Sequence, residues 1–172
     1  DIADPEVILV WLTGSPKRGV GPHDVAIALC GAVYKNGFVK NKVLEFAGPG
    51  VTNLPMDYRI GIDVMTTETA CLSSIWQTDE ETKRFFEIHG RPEAYQELAP
   101  GDGAYYDRMI ELDLSQLEPM IALPFHPSNA FEIDELNANL GDILREVEKE
   151  MSHIIKRNDR IERFELPRAE AI

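Results

Sequence analysis

Residues Val7-Ile8-Leu9-Val10-Trp11-Leu12 constrain this chain more than any other stretch. The run is continuously apolar, rich in β-branched residues, and bounded by Pro5 and Gly14. Such a segment predicts a buried strand. A loop follows from Gly14 to Gly21. Pro22 then suits the first turn of a helix, with Asp24 close to its positive end. Val25, Ile27, Ala28, Leu29, Ala32 and Val33 make residues 25–34 a mostly buried helix, closed by Asn36-Gly37.

The alternation continues. Residues 42–46 read as a second strand, broken by Gly48-Pro49-Gly50. Residues 56–69 fit a helix weakened by Gly61 and by the threonines at its end, and 71–76 fit another buried strand. Thr78-Asp79-Glu80-Glu81 is a helix start in which Thr78 caps and Glu81 reciprocates. That helix runs to about His89 and stops at Gly90. Residues 92–98 fit a short helix, and 109–114 alternate in period two as a half-exposed strand should. Strands alternating with helices predict an α/β layered architecture. The clearest single element covers 134–157. Leu136, Leu140, Ile143, Leu144, Val147, Met151, Ile154 and Ile155 recur there at steps of three and four, one apolar stripe on a long amphipathic helix. The chain is therefore expected to divide into a domain at 1–133, an amphipathic helix at 134–160 packed on that domain, and a tail at 161–172.

Composition narrows the function classes. The 172 residues suffice for one ordinary domain and are short for two. A net charge of −13 argues against nucleic acid as a partner, because phosphate contacts need clustered Lys and Arg. It argues equally against docking on an anionic membrane. The acidity is concentrated in residues 79–136, with 14 acids against 4 bases. Without calcium-loop spacing, this reads as a solvated face. No leader peptide or apolar run of membrane-spanning length is visible. The sequence begins with Asp1 rather than Met, which suggests a processed chain or a piece of a longer one. Two cysteines cannot form a disulfide framework, and they fit a reducing, cytoplasmic setting.

Most candidate chemistry fails on spacing. Gly14 and Gly19 have the separation of a phosphate loop, but Val20-Gly21 stand where Lys and Ser or Thr are needed. The stretch reads as a turn joining strand to helix. His23, His89, His126 and His153 show no metal-ligand spacing, and each reads as a surface or capping residue. Cys30 and Cys71 lie in apolar surroundings and read as buried small hydrophobes. Glu68 is different. It is a lone acid within 64–76, among Met, Thr, Ala, Cys, Leu and Ser. A carboxylate there must be paired, hydrogen-bonded or near a metal, or else point to solvent from a helix end.

Taken in order, several short motifs resemble one family. They are Gly21-Pro22-His23-Asp24-Val25, Val43-Leu44-Glu45-Phe46, Gly48-Pro49-Gly50-Val51, Met56-Asp57-Tyr58-Arg59, Glu68, and Asp79-Glu80. Later come Tyr105-Tyr106-Asp107, Ile110-Glu111-Leu112-Asp113-Leu114-Ser115, Leu117-Glu118-Pro119 and Pro124-Phe125-His126-Pro127. Across residues 7–128 this set resembles the aconitase superfamily of iron–sulfur hydro-lyases, which includes the 3-isopropylmalate dehydratase large subunit. Specifically, it looks like the second α/β/α domain. The resemblance implies a three-layer α/β/α sandwich. It also implies that the parent protein carries a 4Fe-4S cluster on three cysteines and dehydrates a hydroxy polycarboxylate reversibly.

Glu68 stands where the family has a Glu that hydrogen-bonds the iron-bound water or hydroxide, so it is the candidate catalytic residue. Val64 stands where the family has Asn. On a continuous helix that position would share a face with Glu68 and deprive it of a polar neighbour. The cluster motifs and the substrate-binding arginines of the family do not occur in this sequence. No metal ligand and no cofactor are therefore expected in this chain, and the chain alone is expected to be inactive. Its implied partners are the remaining domains of a parent hydratase and a small polycarboxylate substrate. Two alternatives remain open. One is a non-catalytic binding or regulatory module of the same fold, suggested by Val64. The other is an assembly domain that binds through the stripe of its last helix.

Overall fold

In the computed structural model, which describes residues 4–156, the opening apolar run is strand β1 (Val7–Thr13). Its Ile8, Val10 and Leu12 are fully buried. β1 takes parallel partners on both edges, β2 (Val43–Ala47) on one side and β4 (Arg108–Asp113) on the other. β3 (Ser73–Trp76) adds in parallel to β2, giving the order β3-β2-β1-β4. Parallel neighbours require crossover connections. α1 (Pro22–Val33) lies between β1 and β2 in the chain, α2 (Met56–Asp63) between β2 and β3, and α3 (Glu80–Ile88) between β3 and β4. The protein is thus α/β, with a parallel sheet flanked by helices as in an α/β/α sandwich. Leu44 and Phe46 pack with β1 against Val25, Leu29 and Val33 of α1 and Ile62 of α2. No helix among the described residues is long and apolar enough to cross a membrane.

Two close approaches set the layer spacing. The Gly48-Pro49-Gly50 turn folds back onto the end of β1, where the Gly50 N–H donates to the Leu12 carbonyl at 2.8 Å. A Cβ on Gly50 would stand 2.8 Å from the Leu12 carbonyl carbon. On Gly48, which adopts φ +110°, it would stand 2.6 Å from the Leu12 oxygen. Gly61, which lowers helix propensity, faces the Pro22 ring at a distance that leaves no room for a Cβ. The missing side chain is what lets α2 lie on α1.

Arg59 ties these layers together. It is 2% exposed. Its Nε and Nη2 donate to the Leu54 and Val51 carbonyls, both at 3.0 Å. Nη1 reaches Thr82 Oγ1 at 3.2 Å, and Nη2 reaches Asp79 Oδ2 at 2.6 Å. Asp79 in turn accepts the Glu81 and Thr82 amides and caps α3. Partial burial raises the Asp79 carboxyl. Arg59 and the Thr82 amide outweigh that and hold it below the usual carboxylate range.

Several expected boundaries move. The helix expected over 56–69 is α2 plus a separate 3-10 turn, Thr66–Thr69. The threonine hydroxyls compete for the backbone: Thr66 Oγ1 donates to Asp63 O at 2.8 Å and Thr69 Oγ1 to Thr66 O at 2.6 Å. Ala70 then turns left-handed at φ 61° and ends the segment. β3 is an edge strand with Ile75 exposed rather than a buried one. Asp79, not Thr78, caps α3, because Thr78 Oγ1 accepts the Leu98 N–H at 2.7 Å. Of the helix expected over 92–98 only Pro92–Ala94 turns helically, and Tyr95 is already extended.

The long C-terminal helix is split into α4 (Ile133–Ala138) and α5 (Leu140–Lys156) by Asn139, whose backbone leaves the helical region. Along α5, Ile143, Leu144, Val147 and Ile154 are half-buried and Met151 is buried, while Arg145, Glu146, Lys149 and Glu150 are exposed. Arg157, the rest of the expected helix to 160 and the tail at 161–172 lie outside the described residues. A short antiparallel hairpin, β5 (Met120–Ala122) with β6 (Ala130–Glu132), was not expected.

Two stability predictions follow from these contacts. Gly50→Ala should lower the unfolding free energy by about 1–3 kcal/mol, read from urea melts, because the β1 backbone cannot yield to a Cβ. Asp79→Asn should cost on the order of 3 kcal/mol at pH 7, since it leaves a buried guanidinium without its counter-charge. The folded-state pKa of Asp79 is depressed, so its contribution is complete above the unfolded value of 3.8. It is lost as pH falls through the folded value, so wild type and Asp79→Asn should converge in acid.

Candidate active site

Glu68 rides on the Thr66–Thr69 turn between α2 and β3. Buried Thr66 and Thr69 anchor that turn. The Cys71 thiol donates to the Thr66 carbonyl at 3.3 Å, and the Cys30 thiol approaches the Met65 carbonyl at 3.8 Å from α1. Behind the turn, Asp63 Oδ1 accepts Ser74 Oγ at 2.6 Å and Trp76 Nε1 at 2.8 Å, fastening the end of α2 to β3. The Glu68 side chain is left 47% exposed at the edge where the chain enters the sheet. It thus lies away from the carboxyl-end crevice where open α/β sheets usually take ligands.

Val64 does not affect Glu68 in the way a continuous helix would predict. α2 ends at Asp63, Val64 is its C-cap, and the side chain is 64% exposed. The i,i+4 relation is broken by the intervening turn. Asp63 is committed to Ser74 and Trp76.

The carboxylate has one neighbour that the sequence did not reveal. His126 Nε2 lies 3.9 Å from Glu68 Oε2. The His126 ring stacks on Tyr34 at the end of α1, with centroids 3.7 Å apart and planes 21° apart. His126 and Glu68 are 58 positions apart, so no local spacing could announce their contact. His89, by contrast, does cap a helix: its Nδ1 meets the Phe85 carbonyl at 2.7 Å.

The other motif residues have structural partners. Asp24 accepts the Gly21 amide with one oxygen and the Met120 amide with the other, both at 2.6 Å, joining α1 to the hairpin. Lys17 of the glycine-rich loop pairs with Glu118. Asp107 accepts the Val7 amide at 2.8 Å, and Tyr106 donates to Glu45 at 3.0 Å. Most carboxylates of the acidic segment, among them Glu80, Glu87, Glu93, Glu97 and Glu111, are exposed.

The residues present do not fit an iron–sulfur cluster. Such a cluster needs thiolates. Both thiols, Cys30 and Cys71, are directed at backbone carbonyls of one turn. Burial, with the nearby Glu68 and Cys71 charges adding, pushes the Cys30 thiol up to about 11. Among the described residues, no group of three or more His, Cys, Asp or Glu could hold a metal ion.

Comparison with known proteins defines the class. The aconitase family (aconitate hydratase) matches residues 1–169. The chain is 31% identical to aconitate hydratase A of Legionella pneumophila over 175 aligned residues, covering 90% of this chain and 19% of that protein. It is 30% identical to 3-isopropylmalate dehydratase large subunit 1 of Thermotoga maritima, over 77% of this chain and 31% of the relative. It is 37% identical to the mitochondrial homoaconitase of Candida parapsilosis, over 70% and 20%. The chain belongs to the aconitase family. It spans between about a fifth and a third of the length of these relatives.

The thiol environment yields a direct test. At pH 8 Cys30 should remain a buried thiol and resist iodoacetamide until the fold is opened by denaturant, as mass mapping of the labelled peptide would show. Labelling of Cys30 at the rate of a free thiol in the native chain would contradict its placement.

Proposed function

We propose that this chain is the middle domain of an aconitase-like hydratase that reversibly dehydrates a hydroxy polycarboxylate. The observation that carries the reading is Glu68. It is an acid of the family pattern, held on an anchored turn yet half exposed at the sheet edge. Such a carboxylate can accept a hydrogen bond from a reacting hydroxyl or water and exchange a proton with it. The short share of each relative that the chain covers supports assigning the other groups to further domains of the parent. The 4Fe-4S cluster and the cations that recognise the carboxylates belong to those domains, and the chain alone is inactive.

Two experiments test this. Glu68→Gln in the full-length parent should lower hydratase kcat by about 100-fold or more, the lower end of what a proton-transfer group contributes. Undiminished activity would remove Glu68 from the mechanism. Absence of hydratase activity in the unmutated parent would favour the non-catalytic module. Anaerobic treatment of the isolated chain with iron and sulfide should leave it colourless, and stoichiometric iron with brown absorbance would contradict the assignment of the cluster to other domains.

A further inference from the structure

The hairpin β5–β6 makes few core contacts, yet its tip is held in detail. The Leu123 amide donates to Asn129 O and the Asn129 amide to His126 O, both at 2.8 Å. Asn129 Nδ2 closes the tip onto Pro124 O at 2.8 Å. The hairpin lies against α1 where Gly31 presents no side chain, since a Cβ there would stand 3.1 Å from Ala130 Cβ. This packing delivers His126 onto the Tyr34 ring and toward Glu68.

The imidazole is also held in one tautomer. The Ser128 backbone N–H, which can only donate, points at His126 Nδ1 at 3.1 Å. Ser128 is buried, and its hydroxyl lies 3.0 Å from the same nitrogen. Nδ1 is therefore an acceptor, and in the neutral ring the proton resides on Nε2. That N–H is the group facing Glu68 Oε2 at 3.9 Å. The separation suits a bridging water or a contact that shortens when substrate closes the site.

We propose that His126 is the positioning residue for Glu68. Backed by Ser128 and clamped on Tyr34, it offers an Nε2–H that orients the carboxylate toward the reacting hydroxyl. The inference rests on the catalytic reading of Glu68 given above, and it assigns a role to a hairpin that reading did not use.

The test has two arms. Long-range 15N–1H spectra of the 172-residue chain should show His126 protonated at Nε2 and bare at Nδ1, with ring signals that move in Glu68→Gln. An Nδ1-protonated ring, or one indifferent to Glu68→Gln, overturns the pairing whatever the activity. In the full-length parent, His126→Ala should lower kcat by about 10- to 100-fold, as loss of an orienting partner does, with KM little changed. His126→Gln, whose side-chain amide can place an N–H near Nε2, should restore most of the loss. A merely structural histidine would not show that rescue together with a selective loss in kcat. Full kcat in His126→Ala beside an inactive Glu68→Gln overturns this inference and leaves Glu68 catalytic. Full activity in Glu68→Gln overturns the catalytic reading itself, and the role of the pair with it.

Discussion

The buried guanidinium of Arg59 is the constraint on which the arrangement of this domain depends. A charge that is 2% exposed must be fully satisfied, and its donors tie down two separate elements. The Val51 and Leu54 carbonyls hold the turn after β2, while Asp79 and Thr82 hold the start of α3. α2, which carries Arg59, is thereby fixed along its axis against both. The end of α2 sets where the Thr66–Thr69 turn begins, and so where Glu68 stands. An apolar core alone would tolerate sliding of α2 by a fraction of a turn, whereas directional bonds to two carbonyls and a carboxylate do not.

The site inherits its character from the same economy of contacts. Thr66, Thr69, Cys30 and Cys71 direct their polar atoms at backbone carbonyls in and beside the turn, and the Asp63 carboxylate is taken by Ser74 and Trp76 of β3. What remains outward is Glu68, with His126 brought to it from a distant hairpin. The aconitase family matches residues 1–169, while the chain covers only a fraction of each relative.

Much of the layer structure was legible in the residues. The Val7–Leu12 run is a central strand whose Ile8, Val10 and Leu12 are fully buried. Pro22 with Asp24 starts α1 because a missing N–H costs nothing there and a carboxylate suits the free amides. Where the structure departs from the local pattern, a competing partner decides in some places and the shortness of the element in others. Thr78 looks like a cap, but Leu98 claims it. Residues 56–69 look like one helix until the threonine hydroxyls and Ala70 end it. β5 and β6 are three residues each, too short for any period to declare itself.

The sequence by itself determined the fold class, the family and the candidacy of Glu68, because burial pattern, capping chemistry and ordered motifs are written in neighbouring residues. Only the tertiary structure decided what surrounds that carboxylate. It showed that Val64 is not its helical neighbour, that Asp63 is taken by Ser74 and Trp76, and that His126 comes to it over Tyr34. Such contacts depend on how α1, the turn and the hairpin pack in three dimensions, and no spacing along the chain encodes that distance.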